Sequence, residues 1–194
     1  QGAQDPELVE EGEMREVLLH CIKIFSETCD VCDQVPVHTD APVRFFSFLS
    51  FLMIRIRALR ESDTIVLPTS MVVDETTGEE HGIILVVTKT RGNTDANFSV
   101  AVINTGSGRH SGLDYHASCI EPSDGSVLRN MAFELNNIPN EKIENSAFWF
   151  VVFKAAVTPN AKYDAHFFYD KTLPFLTAMP ILSSLQVSIR FFDV

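Results

Sequence analysis

Two apolar segments that lie close together in the chain restrict its fold more than any other feature. The first runs from His81 to Thr88 and the second from Asn97 to Asn104, with a polar turn at residues 91–95 between them. Segments of this length on either side of a short turn are typical of a β-hairpin. Each residue of a strand advances the chain by ~3.3 Å, so the two outer ends of such a hairpin meet. The sequence therefore predicts that the side chains of His81 and Asn104 lie side by side on adjacent antiparallel strands.

An imidazole beside a carboxamide is the orienting half of a cysteine-hydrolase site. A neutral imidazole can accept a proton, and an amide that binds its other nitrogen fixes the tautomer and the ring plane. This is the arrangement that supports a cysteine nucleophile in acyl transfer. A simpler interpretation stays open, in which His81 is a polar residue at a strand entrance and Asn104 a turn former before Gly106.

These two strands resemble the histidine and asparagine strands of papain-like cysteine peptidases. The matching residues are His81-Gly82-Ile83-Ile84-Leu85-Val86 and Val102-Ile103-Asn104-Thr105-Gly106. The resemblance covers about 30 residues and departs from the family after Asn104, where Thr105-Gly106 stands in place of the family's tryptophan. It implies a papain-like fold of the deubiquitinase type, with His81 as general base and Asn104 as its orienting residue.

The nucleophile that the resemblance implies has no clear counterpart. It should stand at the beginning of a long helix, where the helix N-terminus stabilises a thiolate. The predicted helix from Pro42 to Leu59 has no cysteine there, and Cys29 and Cys32 precede it in what we expect to be a loop, residues 29–40. We therefore expect a nucleophile outside this segment, with Cys29 or Cys32 as the weaker alternative, or a domain without catalysis.

The remaining pattern predicts an α+β fold, with an antiparallel sheet and helices packed before and after it. Apolar residues at helical spacing predict helices, with two long strands as the alternative for the second helix. Fifteen phenylalanines imply a bulky core or a sizeable apolar interface. The helices are expected at residues 7–28, 42–59, 141–157 (capped by Asn140) and 165–179, broken at Pro174; the strands are expected at residues 64–67, 71–73, 128–135 and 185–192. In the first helix the residues at helical spacing are Val9, Val17, Leu18, Cys21, Ile22 and Phe25.

Aromatic runs around Trp149 and Phe168 suggest a binding surface. Neighbouring residues of a helix point about 100° apart, so consecutive aromatic side chains cannot all face one core. We expect some of them to be exposed or covered by another protein, with Trp149 and Phe168 as the candidates. Core packing is the alternative interpretation.

Composition restricts the partners and the compartment. The net charge of −11 disfavours nucleic acid, and the longest apolar run, residues 45–54, is too short to span a membrane. Residues 1–7 look like the remnant of an expression tag, which leaves residues 8–194 as a single domain excised from a larger protein. Four cysteines are too few for a disulfide scaffold, so a cytoplasmic or nuclear location is expected.

Neither a metal nor a cofactor is expected. Cys29 and Cys32 have the spacing of half a zinc site or of a redox pair, but no second pair completes a four-ligand site. His110, Asp114, Tyr115 and His116 form a polar cluster that suits either a site-lining loop or an ordinary exposed loop.

Two functions from different classes follow from these observations. The first is a non-catalytic protein-interaction domain of a larger intracellular protein, possessing at most the papain-like fold. The second is a papain-like cysteine hydrolase. In both cases the expected partner is a protein, either ubiquitin-like or another domain of the parent chain.

Overall fold

The chain forms an α+β fold, in which helices pack against a four-stranded antiparallel sheet. A computed structural model describes residues 6–35, 42–74, 79–91, 96–104, 118–120, 127–129, 132–157 and 165–177. The helices are α1 (Pro6–Gln34), α2 (Pro42–Ala58), α3 (Asn140–Ile143), α4 (Ser146–Val157), α5 (Ala165–Phe167) and α6 (Pro174–Thr177), with a π-helix at Phe168–Thr172 between the last two. The strands are β1 (Thr64–Asp74), β2 (Glu79–Lys89), β3 (Ala96–Asn104), β4 (Ser118–Ile120), β5 (Val127–Arg129) and β6 (Ala132–Pro139).

The main sheet has the strand order β1-β2-β3-β6, and β4 and β5 form a separate pair. Alternate residues of its strands face the core, as the period of two requires. Opposed pairs such as Leu67 with Leu85 and Leu85 with Val102 are fully buried. The predicted hairpin of β2 and β3 is confirmed, with Ile83 opposite Asn104 and Lys89 opposite Phe98.

Helices α2 and α4 cover the apolar face of the sheet. Aromatic rings join them: the ring centroids of Phe48 and Phe153 lie 4.8 Å apart, edge to face, and those of Phe45 and Phe150 lie 5.4 Å apart. A hydrogen bond of 3.4 Å from the Thr69 hydroxyl to a carbonyl of α4 adds a link to β1. The α2 helix is confirmed, so the alternative of two strands is wrong there. The residues at helical spacing on α2 face the core: Phe45, Leu49, Leu52 and Ile56.

The first helix differs from its prediction in length. It continues to Gln34, so Cys29 and Cys32 lie on a helix and not in a loop. Proline disfavours the helical conformation at its own position and at the residue before it, so Pro36 does not prevent the residues before position 35 from being helical. Leu18, Ile22 and Phe25, which recur at helical spacing, are exposed.

Three other elements differ from their predicted bounds. The predicted helix 141–157 is divided into α3 and α4, and Asn145 caps α4 by accepting a hydrogen bond of 2.9 Å from the amide of Ala147. Asn140 is the first residue of α3, and it does not cap the helix, because Pro139 precedes it as the cap residue. The two short strands predicted around Pro68 form one strand, β1. Proline is tolerated there because β1 is an edge strand.

Predicted strand 128–135 corresponds to parts of β5 and β6, and residues 130 and 131 lie outside the described residues. The predicted helix at 165–179 is present as α5, the π-helix and α6, with the break near Pro174. The strand expected at residues 185–192 and the polar cluster of His110, Asp114, Tyr115 and His116 lie outside the described residues.

Candidate functional site

The predicted contact between His81 and Asn104 is present. His81 lies two residues before Ile83, which is opposite Asn104, so the two side chains form a diagonal pair on the core face of the sheet. Nε2 of His81 and Oδ1 of Asn104 form a buried hydrogen bond. An amide oxygen only accepts, so Nε2 is the nitrogen that carries the hydrogen. In the neutral ring Nδ1 is then the nitrogen that can accept a proton.

The surroundings of this pair are closed to solvent. Both side chains are 3% exposed, and His81 lies opposite the buried Met71 of β1. The pair sits at the end of β2 where β1 finishes.

The first turn of α2, where the resemblance implies a nucleophile, has none among its described residues. The described part of the first turn of α2 consists of Pro42, Val43, Arg44 and Phe45. None of these residues has a thiol or a hydroxyl. The structure thus shows an imidazole oriented by a carboxamide, and no thiol or hydroxyl on the described first turn of α2.

The two cysteines proposed as alternatives lie on α1. Cys29 and Cys32 are free and exposed on α1, and no hydrogen bond joins either thiol to His81 among the described side chains. The pKa of Cys32 is raised, first by burial of part of its side chain and then by the negative charges of Cys29 and Asp33. A raised pKa disfavours the thiolate, which is the reverse of what a nucleophile requires.

Metal ligands are not gathered in the described parts of the chain. Those side chains contain no group of three or more histidine, cysteine or acidic residues that could hold a metal ion. The side chain of Cys119, on β4, lies outside them. Nor does any described helix have the length and apolar character needed to cross a bilayer.

Trp149 and Phe168 are core residues, and the prediction that they form an exposed binding surface is wrong. Both are buried, and the indole nitrogen of Trp149 donates a hydrogen bond of 2.7 Å to the carbonyl oxygen of Ile143. Phe168 packs edge to face against the buried ring of Tyr169. The break between α3 and α4 turns Trp149 towards the core, an effect that a single continuous helix does not predict.

The exposed aromatic surface lies instead on α2, beside a groove that it forms with α3 and α4. We call this the α2–α4 groove; its volume is about 630 Å³, and its lining includes Phe46, Leu49, Met53, Ile54, Glu144 and Phe150. Phe46 is 58% exposed and Ile54 is 66% exposed. The rings of Phe46 and Phe150 stack with centroids 6.2 Å apart, so one wall of the groove is aromatic.

A surface ion pair closes one end of the groove. Nε of Arg57 lies 3.1 Å from a carboxylate oxygen of Glu144, and the arginine side chain is well exposed. Sequence reasoning missed this groove because α2 is apolar on most sides, which favours complete burial. The signal that it overlooked is polar: Ser50 and Arg57 lie on the same side of the helix as Phe46 and Ile54.

Comparison with family models, with curated protein sequences and with solved structures finds no match for this chain. The residues themselves therefore carry the functional argument.

Proposed function

We propose that this chain is a protein-interaction domain that binds its partner at the α2–α4 groove. The observation that carries the proposal is the exposure of Phe46 and Ile54 at an open groove with an aromatic wall. Aromatic side chains are enriched at the centres of protein interfaces, and concave apolar sites there exclude water most completely. The charged rim at Arg57 and Glu144 gives the groove the polar border that such interfaces have.

The domain acts without hydrolysing its partner. The first turn of α2 offers no nucleophile, and the raised pKa of Cys32 works against thiolate formation. In this proposal the His81–Asn104 pair is a structural remnant of a papain-like ancestor, which holds the end of the hairpin together through a buried hydrogen bond.

The partner is a protein surface, either ubiquitin-like or another domain of the parent chain, in the cytoplasm or the nucleus. The net charge of −11 repels nucleic acid, and the three described free thiols suit a reducing compartment.

The test places a photo-crosslinking phenylalanine analogue at position 46 and identifies the protein that it captures. The purified partner is then titrated against the wild-type chain, Phe46→Glu and the control Ser47→Glu. Ser47 is exposed on α2 but does not line the groove. We expect Phe46→Glu to weaken binding at least about 30-fold, as a central interface residue would, while Ser47→Glu binds like the wild type. Equal affinities for all three proteins, with circular dichroism showing that each is folded, would refute the proposal.

A second candidate function, cysteine hydrolysis, is favoured by the contact between His81 and Asn104. Ubiquitin with a C-terminal electrophile reacts only with a working cysteine, so it separates the two functions. We expect no labelling of the purified chain. Labelling that disappears in Cys29→Ser or Cys32→Ser, and in His81→Ala, would establish hydrolysis in place of the non-catalytic proposal.

A further inference from the structure

Helix α1 carries a second exposed apolar surface, which is separate from the α2–α4 groove. Leu18, Leu19, Ile22 and Phe25 form it, and we call these four residues the α1 stripe. Ile22 is 62% exposed and Phe25 is 71% exposed. Their positions recur at spacings of three and four residues, so they lie along one side of the helix.

The part of α1 that bears the stripe projects from the body of the domain. Every side chain from residue 18 to residue 22 is exposed, which covers more than one turn, so no side of the helix is packed there. The helix is anchored further along, where Lys23 binds Asp63 at 3.0 Å, Glu27 binds Arg55 at 3.4 Å, and Val31 is buried. Ile22 and Val31 are nine residues apart, which places them on opposite sides of the helix.

This anchoring prevents the α1 stripe from reaching the groove of its own chain. The anchored side of the helix faces the body, and the stripe faces away from it. A surface that covers the stripe must therefore come from elsewhere, and α1 is long enough to reach it. Residues 6–22 precede the first anchoring ion pair and extend about 25 Å at 1.5 Å per residue.

The dimensions of the α1 stripe fit the α2–α4 groove. Leu18 and Phe25, at the two ends of the stripe, are seven residues apart, about 10 Å along the helix axis. Phe46 and Ile54 are eight residues apart on α2, about 12 Å. An amphipathic helix that lies in an apolar groove is a common mode of recognition, in which side chains at this helical spacing act as anchors.

The charges of the two helices favour the pairing of α1 with α2 and disfavour the pairing of two α1 helices. Helix α1 contains eight acidic and two basic residues, whereas α2 contains three arginines and no acidic residue. Two α1 helices packed against each other would bring like charges together. An α1 helix beside α2 meets opposite charge, as the ion pair between Glu27 and Arg55 within one chain already illustrates.

We propose that the α1 stripe of one copy of this chain occupies the α2–α4 groove of a second copy. The inference rests on the proposed function of the groove as a protein-binding site, and it names a second copy of the chain as its occupant. Each copy has one stripe and one groove, so a reciprocal exchange closes a dimer with both surfaces covered.

Sedimentation analysis of the full chain tests the proposal, over concentrations from micromolar to several hundred micromolar. We expect a monomer–dimer equilibrium for the wild type. Ile22→Glu damages the stripe and Phe46→Glu damages the groove, and each should weaken dimerisation at least about 30-fold. The controls His20→Glu and Ser47→Glu place the same charge at exposed positions of the same helices, outside the stripe and the groove, and should dimerise like the wild type.

Mixing the two damaged variants gives the decisive result. The intact stripe of Phe46→Glu can enter the intact groove of Ile22→Glu, so the mixture should form a heterodimer that neither variant forms alone. A dimer that only Ile22→Glu disrupts would show pairing between α1 helices, and one that only Phe46→Glu disrupts would show pairing between grooves. Either result, or a wild type that stays monomeric throughout, overturns the proposal.

The failure of this inference differs from the failure of the proposed function. A monomeric wild type whose groove binds the captured partner, with loss of binding in Phe46→Glu, would refute self-association and retain the function. A wild-type dimer that both Ile22→Glu and Phe46→Glu weaken, with a captured partner that binds Phe46→Glu as tightly as the wild type, would refute the function and retain self-association.

Discussion

A double-mutant cycle on the His81–Asn104 pair measures how much this contact contributes to the fold. His81→Phe and Asn104→Leu replace each polar side chain by an apolar one of similar shape. Both native side chains are buried at the same end of the sheet, so either single variant leaves its former partner without this hydrogen bond in a position closed to water. Replacing both partners together removes the need for the bond.

The expected magnitudes follow from that difference. An unsatisfied buried polar group costs about 1–3 kcal/mol, so each single variant should lower the free energy of unfolding by about that amount. The double variant should be less destabilised than the sum of the two, with a coupling energy of about 1–3 kcal/mol. Urea denaturation followed by circular dichroism measures all four proteins. For a chain of this size each kcal/mol also lowers the melting temperature by about 2–4 °C.

Additivity would refute this reasoning. If the effects of the two single variants sum to that of the double variant within about 0.5 kcal/mol, the pair is not energetically coupled. The contact would then contribute nothing specific to the hairpin, and its interpretation as a structural remnant of a hydrolase site would fall with it.

Three further predictions concern other parts of the molecule. Trp149→Phe should lower the free energy of unfolding by about 2–4 kcal/mol in urea denaturation, because it removes the hydrogen bond to the buried Ile143 carbonyl and leaves a cavity. Asp63→Asn should destabilise the chain by about 1 kcal/mol at pH 7, since Asp63 accepts a hydrogen bond from the Arg60 amide and binds Lys23. These contacts lower the pKa of Asp63, so its contribution to stability is complete above the ordinary aspartate pKa of about 4 and is lost as the pH falls through the lowered folded-state pKa. The melting temperatures of the wild type and Asp63→Asn should therefore converge at acidic pH. A difference between them that stays constant with pH would contradict this cause. A chelator such as EDTA should leave the melting temperature unchanged, because the described side chains contain no set of three metal ligands, and a clear decrease with one equivalent of bound metal would reverse this expectation.

The hairpin and its polar pair were predictable because they depend on local information. Strand periodicity and the length of the turn fix which residues meet, and a shift of one residue would move His81 from the core face to the other face. The buried stripe of α2 was predictable for the same reason, since Phe45, Leu49 and Leu52 recur at helical spacing. The break before α4 was not, because Asn145 suits either the middle of a helix or a cap, and only the packing of Trp149 decides between them.

The orientation of α1 could not be read from its pattern. Its apolar residues occur on two sides of the helix, one with Val31 and one with Ile22 and Phe25. Periodicity shows that the residues of each set are aligned, but it does not show which set packs against the rest of the domain. Tertiary contacts decide this, through the ion pairs at Lys23 and Glu27. The groove was missed for a related reason, since exposure of Phe46 depends on how far apart α2 and α4 lie.

The position of α1 beside β1 has a consequence for the solubility of the chain. β1 is an edge strand of eleven residues, and α1 packs against it. An uncovered edge offers unpaired amide and carbonyl groups to any other strand, which is a common route to aggregation. Deleting α1 would therefore remove packing from an edge strand as well as removing the α1 stripe. The proposed binding by the stripe is best tested by substitutions on its outer side, which leave the contact between α1 and β1 in place.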